Sequence, residues 1–140
     1  MLQLNTYLNF NGNAEEAFRF YQTVLGGELF VQYMSDVPFG AELPEHEKKR
    51  AMHVSLRLKE GIHLMASDIL ESAGHKLREG NNYYISIQAG SREEADRVFK
   101  GLSEGGKIEM PMEDMFWGDY FGSLADRFGI QWMVNHSPGK

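Results

Sequence analysis

The chain contains no cysteine, which excludes a disulfide framework, thiol nucleophiles and thiolate metal sites together. Cations are in the minority: 14 Lys and Arg stand against 20 Asp and Glu, for a formal net charge of −6 at pH 7. Nucleic-acid binders draw affinity from clustered cations that displace counterions, and the basic run Lys48-Lys49-Arg50 is short and follows acids. No nucleic acid is expected as a partner, and the charge suits a cationic ligand. Long apolar runs are also missing. Nothing approaches the ~18 residues that a membrane-spanning helix needs, and Met1 to Asn5 has no basic stretch ahead of an apolar one. No membrane partner is expected, and the reading is a cytoplasmic protein.

What is present is a duplication. Asn13-Ala14-Glu15-Glu16-Ala17-Phe18-Arg19-Phe20-Tyr21 is echoed by Ser91-Arg92-Glu93-Glu94-Ala95-Asp96-Arg97-Val98-Phe99 at a constant offset, 93 − 15 = 78 and 97 − 19 = 78. Each copy runs to a glycine pair, Gly26-Gly27 and Gly105-Gly106. Solenoid repeats extend to roughly 50 residues and need several copies, so this is a doubled supersecondary module. At 140 residues, 42% hydrophobic and 24% charged, the chain fits one domain over residues 1–140 with an ordinary core. Module 1 covers about 1–70 and module 2 about 80–137.

Leu4, Thr6, Leu8 and Phe10 alternate with polar residues as a half-buried strand does, and Asn11-Gly12 ends it. Asn13 is placed to cap a helix, with Glu15 and Glu16 favoured by its dipole. Ala17, Phe20, Tyr21 and Val24 recur at helical spacing, and Phe18, Val98 and Phe99 join the core on the same ground. Gly26-Gly27 can stop the helix in a left-handed turn. Strands follow at 28–34, 51–58 and 62–67. The second copy repeats the order: a strand from Tyr83 to Gln88, a helix capped by Ser91, and strands near 107–112, 119–125 and 130–135. The fold class is α+β, two tandem βαβββ modules. The segment Ser35 to Lys49, with Pro38, Gly40 and Pro44, reads as either a lid or a floppy bridge, and the tail from His136 as frayed.

This order, with the strand–Asn-Ala-Glu-Glu-Ala–Phe-Tyr–Leu-Gly-Gly motif, resembles the vicinal-oxygen-chelate superfamily, which includes glyoxalase I, extradiol dioxygenases, fosfomycin-resistance enzymes and bleomycin-resistance proteins. Tyr7-Leu8-Asn9-Phe10-Asn11-Gly12-Asn13, Met65-Ala66-Ser67-Asp68, Gly106-Lys107-Ile108-Glu109-Met110, Met115-Phe116-Trp117-Gly118 and Phe128-Gly129-Ile130-Gln131-Trp132-Met133-Val134-Asn135 resemble its PhnB-like branch. The resemblance implies modules that curl into half-open barrels, a homodimer, and a small-molecule cavity where modules meet. It also implies four metal-ligand positions, on the first and last strand of each module, filled in metal-using members by His, Glu or Gln.

Here the first-strand positions are Asn5 and Asn82 if the apolar alternation is the anchor, or Tyr7 and Tyr84 if the following helix is. The last-strand positions fall at His63 and Met133. Carboxamide, phenol and thioether are poor donors for hard or borderline divalent ions. No metal cofactor is therefore expected, and His63 is the one residue that could contribute to a metal site. Without an ion, the Lewis-acid step of the metal-using members has no source.

The chemistry that remains is binding or metal-free acid–base catalysis. His63 is a candidate general base, against a strand histidine that only hydrogen-bonds across its sheet. His53 shares a face with Ser55 and Arg57 that is either cavity wall or solvent. Glu113 is a second candidate base, provided burial makes it one. Trp117 and Tyr120, in the aromatic stretch 112–122, are expected to wall a cavity with Asn5, Tyr7, Met65, Tyr84 and Met133, whereas Trp132 is expected in the core. No glycine-rich strand-to-helix turn supports the methyltransferase label that this branch has carried. The leading reading is a homodimeric protein that binds a small molecule without metal. The alternatives are a metal-dependent lyase, isomerase or dioxygenase-type enzyme using His63 or Glu113, and a scaffold whose cavity is filled by its own side chains.

Overall fold

The duplication seen in the sequence is carried into space. The computed structural model describes residues 2–59 and 62–139, and the chain divides into two units, Met1–Arg78 and Glu79–Lys140. Each holds one open four-stranded sheet.

In the first unit, β1 (Thr6–Phe10) is followed by α1 (Ala14–Leu25), β2 (Glu28–Tyr33), the single-turn α2 (Glu45–Lys48), β3 (Ala51–Lys59) and β4 (Ile62–Asp68). The sheet order is β1-β4-β3-β2, with β1 parallel to β4 and the other pairs antiparallel. Ala17, Phe18, Tyr21 and Val24 lie on one stripe of α1 and are all buried, whereas Phe20, at helical spacing with them, is only partly buried. They cover the sheet face that carries Phe10, Val54, Leu56 and Ala66, and Phe18 meets Phe10 edge-on at 6.2 Å between ring centres. Each such side chain contributes about 1.5–3 kcal/mol when fully buried, so this stripe holds the unit together.

Three expectations for this unit need correction. Leu4 is fully exposed and lies ahead of β1, because pairing with β4 begins only at Thr6. The Asn13 side chain makes no capping bond, since its backbone (φ −120, ψ 24) is not extended. The buried carboxylate of Asp68 does that work: Oδ1 accepts from the Gly12 and Ala14 N–H groups at 2.9 and 3.0 Å, and Oδ2 accepts from Ala51 N–H at 2.8 Å. Finally, Ser35 to Lys49 is not a floppy bridge. It folds into short 3₁₀ turns over 34–36 and 38–42 and then α2. It is pinned by Glu47, only 1% exposed, whose carboxylate accepts from both the N–H and the hydroxyl of Ser72.

The second unit comprises β5 (Ile85–Gln88), α3 (Arg92–Ser103), β6 (Lys107–Asp114), β7 (Tyr120–Ala125) and β8 (Gln131–His136), in the sheet order β5-β8-β7-β6. Here the cap is local: Ser91 is extended (φ −153, ψ 164) and its hydroxyl accepts from Glu94 N–H at 3.0 Å. Trp132, 1% exposed, lies in the core as expected, and its indole N–H donates to the buried Asp126 at 2.8 Å. β5 begins at Ile85 rather than Tyr83, because the Gln131 N–H that a longer ladder would use is taken by the Tyr83 hydroxyl at 3.2 Å. Nor is the tail frayed at its start. His136 belongs to β8 with Nδ1 3.0 Å from the Ala89 carbonyl, and Ser137 is buried.

The second glycine of each pair has the same steric duty. At Gly27 (φ +94) a Cβ would stand 2.6 Å from the Arg57 carbonyl oxygen, and at Gly106 it would collide with the carbonyl oxygen of Ala125. No side chain fits where the helix exit crosses a neighbouring strand so closely.

Candidate functional site

Each sheet has one face sealed by its helix and one turned away from it. Strand alternation then decides which residues the second face displays. In the first unit, Tyr7 pairs with Met65, Met65 with Ser55, and Ser55 with Phe30, so one row crosses all four strands. The next row back places His63 beside Arg57, and Arg57 beside Glu28. His53 sits opposite Gln32, with Nδ1 3.4 Å from the Tyr7 hydroxyl and ring centres 5.9 Å apart. The sequence left His53 between cavity wall and solvent; it shares this face with Tyr7, His63 and Met65. The face is half-exposed and mixes aromatic, thioether, imidazole and hydroxyl groups.

In the second unit the equivalent row is Ser86, Met133, Ser123 and Met110. Met65 opposite Ser55 thus recurs as Met133 opposite Ser123, at an offset of 133 − 65 = 68 and 123 − 55 = 68. The register corrects one expectation. The counterpart of His63, which pairs with Arg57, is Gln131, which pairs with Ala125, whereas Met133 answers to Met65. A two-residue slip preserves the face but changes the chemistry.

Tyr84, just ahead of β5, donates its phenolic hydrogen to Glu109 Oε1 on β6 at 2.8 Å, linking the two edges of this sheet. Acceptance by Glu109 raises the Tyr84 pKa above the ordinary phenol value, burial adds to the rise, and a hydrogen bond with Ser123 opposes it. Asn135, on the same face, reaches Gln88 and Asp119 at 3.1 and 3.0 Å.

The remaining expected site residues are dispersed. Asn5 is exposed ahead of β1, and Glu113 is exposed on β6 opposite Phe121. Trp117 is 53% exposed at the β6–β7 turn, its ring against Phe116 and Phe121. Tyr120 does not join the open face. It is buried on the helix side, with its hydroxyl donating to Asp96 of α3 at 2.5 Å and the Arg92 guanidinium 3.8 Å above its ring. The bond to Asp96 pushes its pKa up.

Among the described residues, the group of three His, Asp or Glu side chains whose donor atoms converge within 4.8 Å is His46, Glu47 and Glu71. Those residues lie on α2 and the 71–73 turn, off the sheets, and both oxygens of Glu47 are already held by Ser72. Among the described residues, His63 does not belong to a group of three such side chains with converging donor atoms.

The sequence model of the Glyoxalase/Bleomycin resistance protein/Dioxygenase superfamily matches residues 3–134. The chain belongs to that superfamily. Among superfamily relatives, protein YjdN of Escherichia coli strain K12 is 30% identical over 146 residues, covering 96% of this chain and 95% of its own. The crystal structure of protein PA1353 from Pseudomonas aeruginosa is 38% identical, with a TM-score of 0.85 and 98% of each chain covered. A Bacillus cereus PhnB protein, described as a putative 3-demethylubiquinone-9 3-methyltransferase, shares the fold at a TM-score of 0.76 and 24% identity, over 97% of this chain and all of its own. The superfamily fold of two tandem modules stands on these likenesses, and the PhnB protein shares that fold.

Sequence reasoning did not single out Phe30, Ser123, Glu109 or Gln131. A signal was present: Ser55 and Met65 are ten residues apart, as are Ser123 and Met133. That spacing identifies the hairpin register independently of the helix repeat.

Proposed function

We propose that the chain binds a small organic molecule on the sheet faces turned away from its helices, as a cytoplasmic homodimer and without the metal used by other superfamily members. The observation that carries this reading is the Tyr7–Met65–Ser55–Phe30 row beside the Tyr7–His53 contact. Flexible thioethers and aromatic rings with a few fixed polar groups are what small-molecule sites use. The isolated imidazole of His63 argues against ion-dependent catalysis.

The test is calorimetric titration of the purified protein with aromatic and cationic compounds. At least one is expected to bind more tightly than millimolar, with His53→Ala and Met65→Ala weakening it. A panel in which nothing binds better than millimolar overturns the reading. Sedimentation should give twice the monomer mass, and a monomer would remove the homodimer from it.

A further inference from the structure

Gln131 is 6% exposed, and among the described residues its Oε1 is the buried side-chain oxygen or nitrogen without a hydrogen-bond partner. Buried polar atoms are satisfied in the great majority of cases, so an orphan calls for an explanation. Its surroundings supply one. Gln131 shares its face with Met133, and the facing Ala125 and Ser123 of β7 complete that patch. Ile85 pairs with Trp132, so Tyr84 and Gln131, the residues just before them, stand side by side. Tyr84 in turn donates its hydroxyl hydrogen to Glu109 Oε1 at 2.8 Å. The orphan acceptor and the phenol therefore occupy neighbouring positions on one face, with the Ser123 hydroxyl one row on, and the Tyr84–Glu109 bond is the strap that crosses the sheet there.

We propose that this patch is a subsite for the protonated amine of a small organic ligand, which donates one hydrogen to Gln131 Oε1 and takes Glu109 as its counter-charge when the Tyr84 strap opens. The proposal rests on the small-molecule reading above and adds the ligand's chemistry to it. The acceptor is poised without a donor. Glu109 already holds a donor, the Tyr84 hydroxyl, that a stronger one can replace, since hydrogen bonds between two ionised groups exceed those with one neutral partner. The thioethers of Met133 and Met110 on the neighbouring row suit the ligand's apolar part.

The experiment uses three probes of one shape: benzylamine, benzoate and benzyl methyl ether, titrated into wild type, Gln131→Met, Glu109→Gln and Tyr84→Phe and followed by protein NMR shifts. Benzylamine should bind wild type at least about ten-fold more tightly than the other two, the scale of one hydrogen bond to a charged group. Gln131→Met and Glu109→Gln should each erase most of that preference, and Tyr84→Phe should strengthen benzylamine binding by freeing Glu109. Gln131→Met should melt at or above wild type, because it removes an unsatisfied atom. A Gln131→Met melting temperature several degrees lower, or a benzylamine preference that survives it, overturns the subsite. Equal binding of all three probes also overturns it while leaving the small-molecule reading intact. No binding by any probe to any variant counts against both.

Discussion

Asp68 does at the start of α1 what Asn13 leaves undone: one carboxylate oxygen accepts from the N–H groups on both sides of Asn13, while the Asn13 side chain caps nothing. The helix of the first unit is thus tied at its origin to the end of β4 and, through Ala51, to the start of β3. Removing the carboxylate leaves three N–H groups without their acceptor. Asp68→Ala should cost about 3–5 kcal/mol, given that an unsatisfied buried donor costs roughly 1–3 kcal/mol and such losses are not additive. Asn13→Ala should stay within about 0.5 kcal/mol. Urea unfolding of the two variants checks the contrast, and equal losses would refute the assignment.

At Ser91 the same substitution has the opposite outcome. Its hydroxyl is the cap of α3, so Ser91→Ala should destabilise by about 1 kcal/mol. Pairing it with Asn13→Ala in one set of melts tests whether sequence-equivalent caps have diverged in function.

Gly27→Ala and Gly106→Ala should each destabilise by about 1–3 kcal/mol, because the added carbon meets a main-chain carbonyl that cannot swing aside. Gly26→Ala is the control. A Cβ there finds open space, so its cost is limited to the positive φ of 79°. Thermal unfolding should rank Gly26→Ala mildest.

Acid should weaken the fold through Glu15. The Tyr33 hydroxyl at 2.7 Å, and after it Arg19, hold this carboxyl below its ordinary value of 4.5 against partial burial. A pKa lowered by folding means stability that is complete above 4.5 and is lost as pH falls through the lower, folded value. Unfolding free energies between pH 6 and pH 2.5 should therefore fall less steeply in Glu15→Gln than in wild type. Glu47, lowered chiefly by the Ser72 hydroxyl, has the same sign, and Ser72→Ala should flatten the same limb. Parallel profiles for wild type and both variants would contradict these roles.

Protein purified without added metal should contain no stoichiometric divalent ion by elemental analysis. A stoichiometric ion that survives His63→Ala and disappears with Glu71→Gln would instead place it at the α2 cluster, and one lost with His63→Ala would restore the superfamily's metal chemistry to this chain.

Local features were legible and cross-sheet ones were not. The Ser91 cap, the burial of Trp132 and the apolar stripe of α1 depend on neighbours a few residues away, and periodicity reports those. Asp68 lies far from Asn13 in sequence, so only the β1–β4 pairing brings them together. Composition marked 35–49 as a loop but could not show that Ser72 would fix Glu47. The helix-side position of Tyr120 is hidden from sequence because the parity of β7 depends on where its hairpin begins, and bulges in β6 obscure that register. Gln131 escaped notice for a related reason: its unpaired oxygen becomes visible only when every possible donor has been placed.

The helices of the two units repeat at an offset of 78, whereas their hairpins repeat at 68. The difference falls in the connections: residues 34–50 join β2 to β3, but only 115–119 join β6 to β7. One rim is thus a folded, carboxylate-pinned segment and the other a bare aromatic turn. Two halves cut from one pattern have become chemically distinguishable, so the open faces of the two sheets are unlike surfaces rather than two copies of the same one.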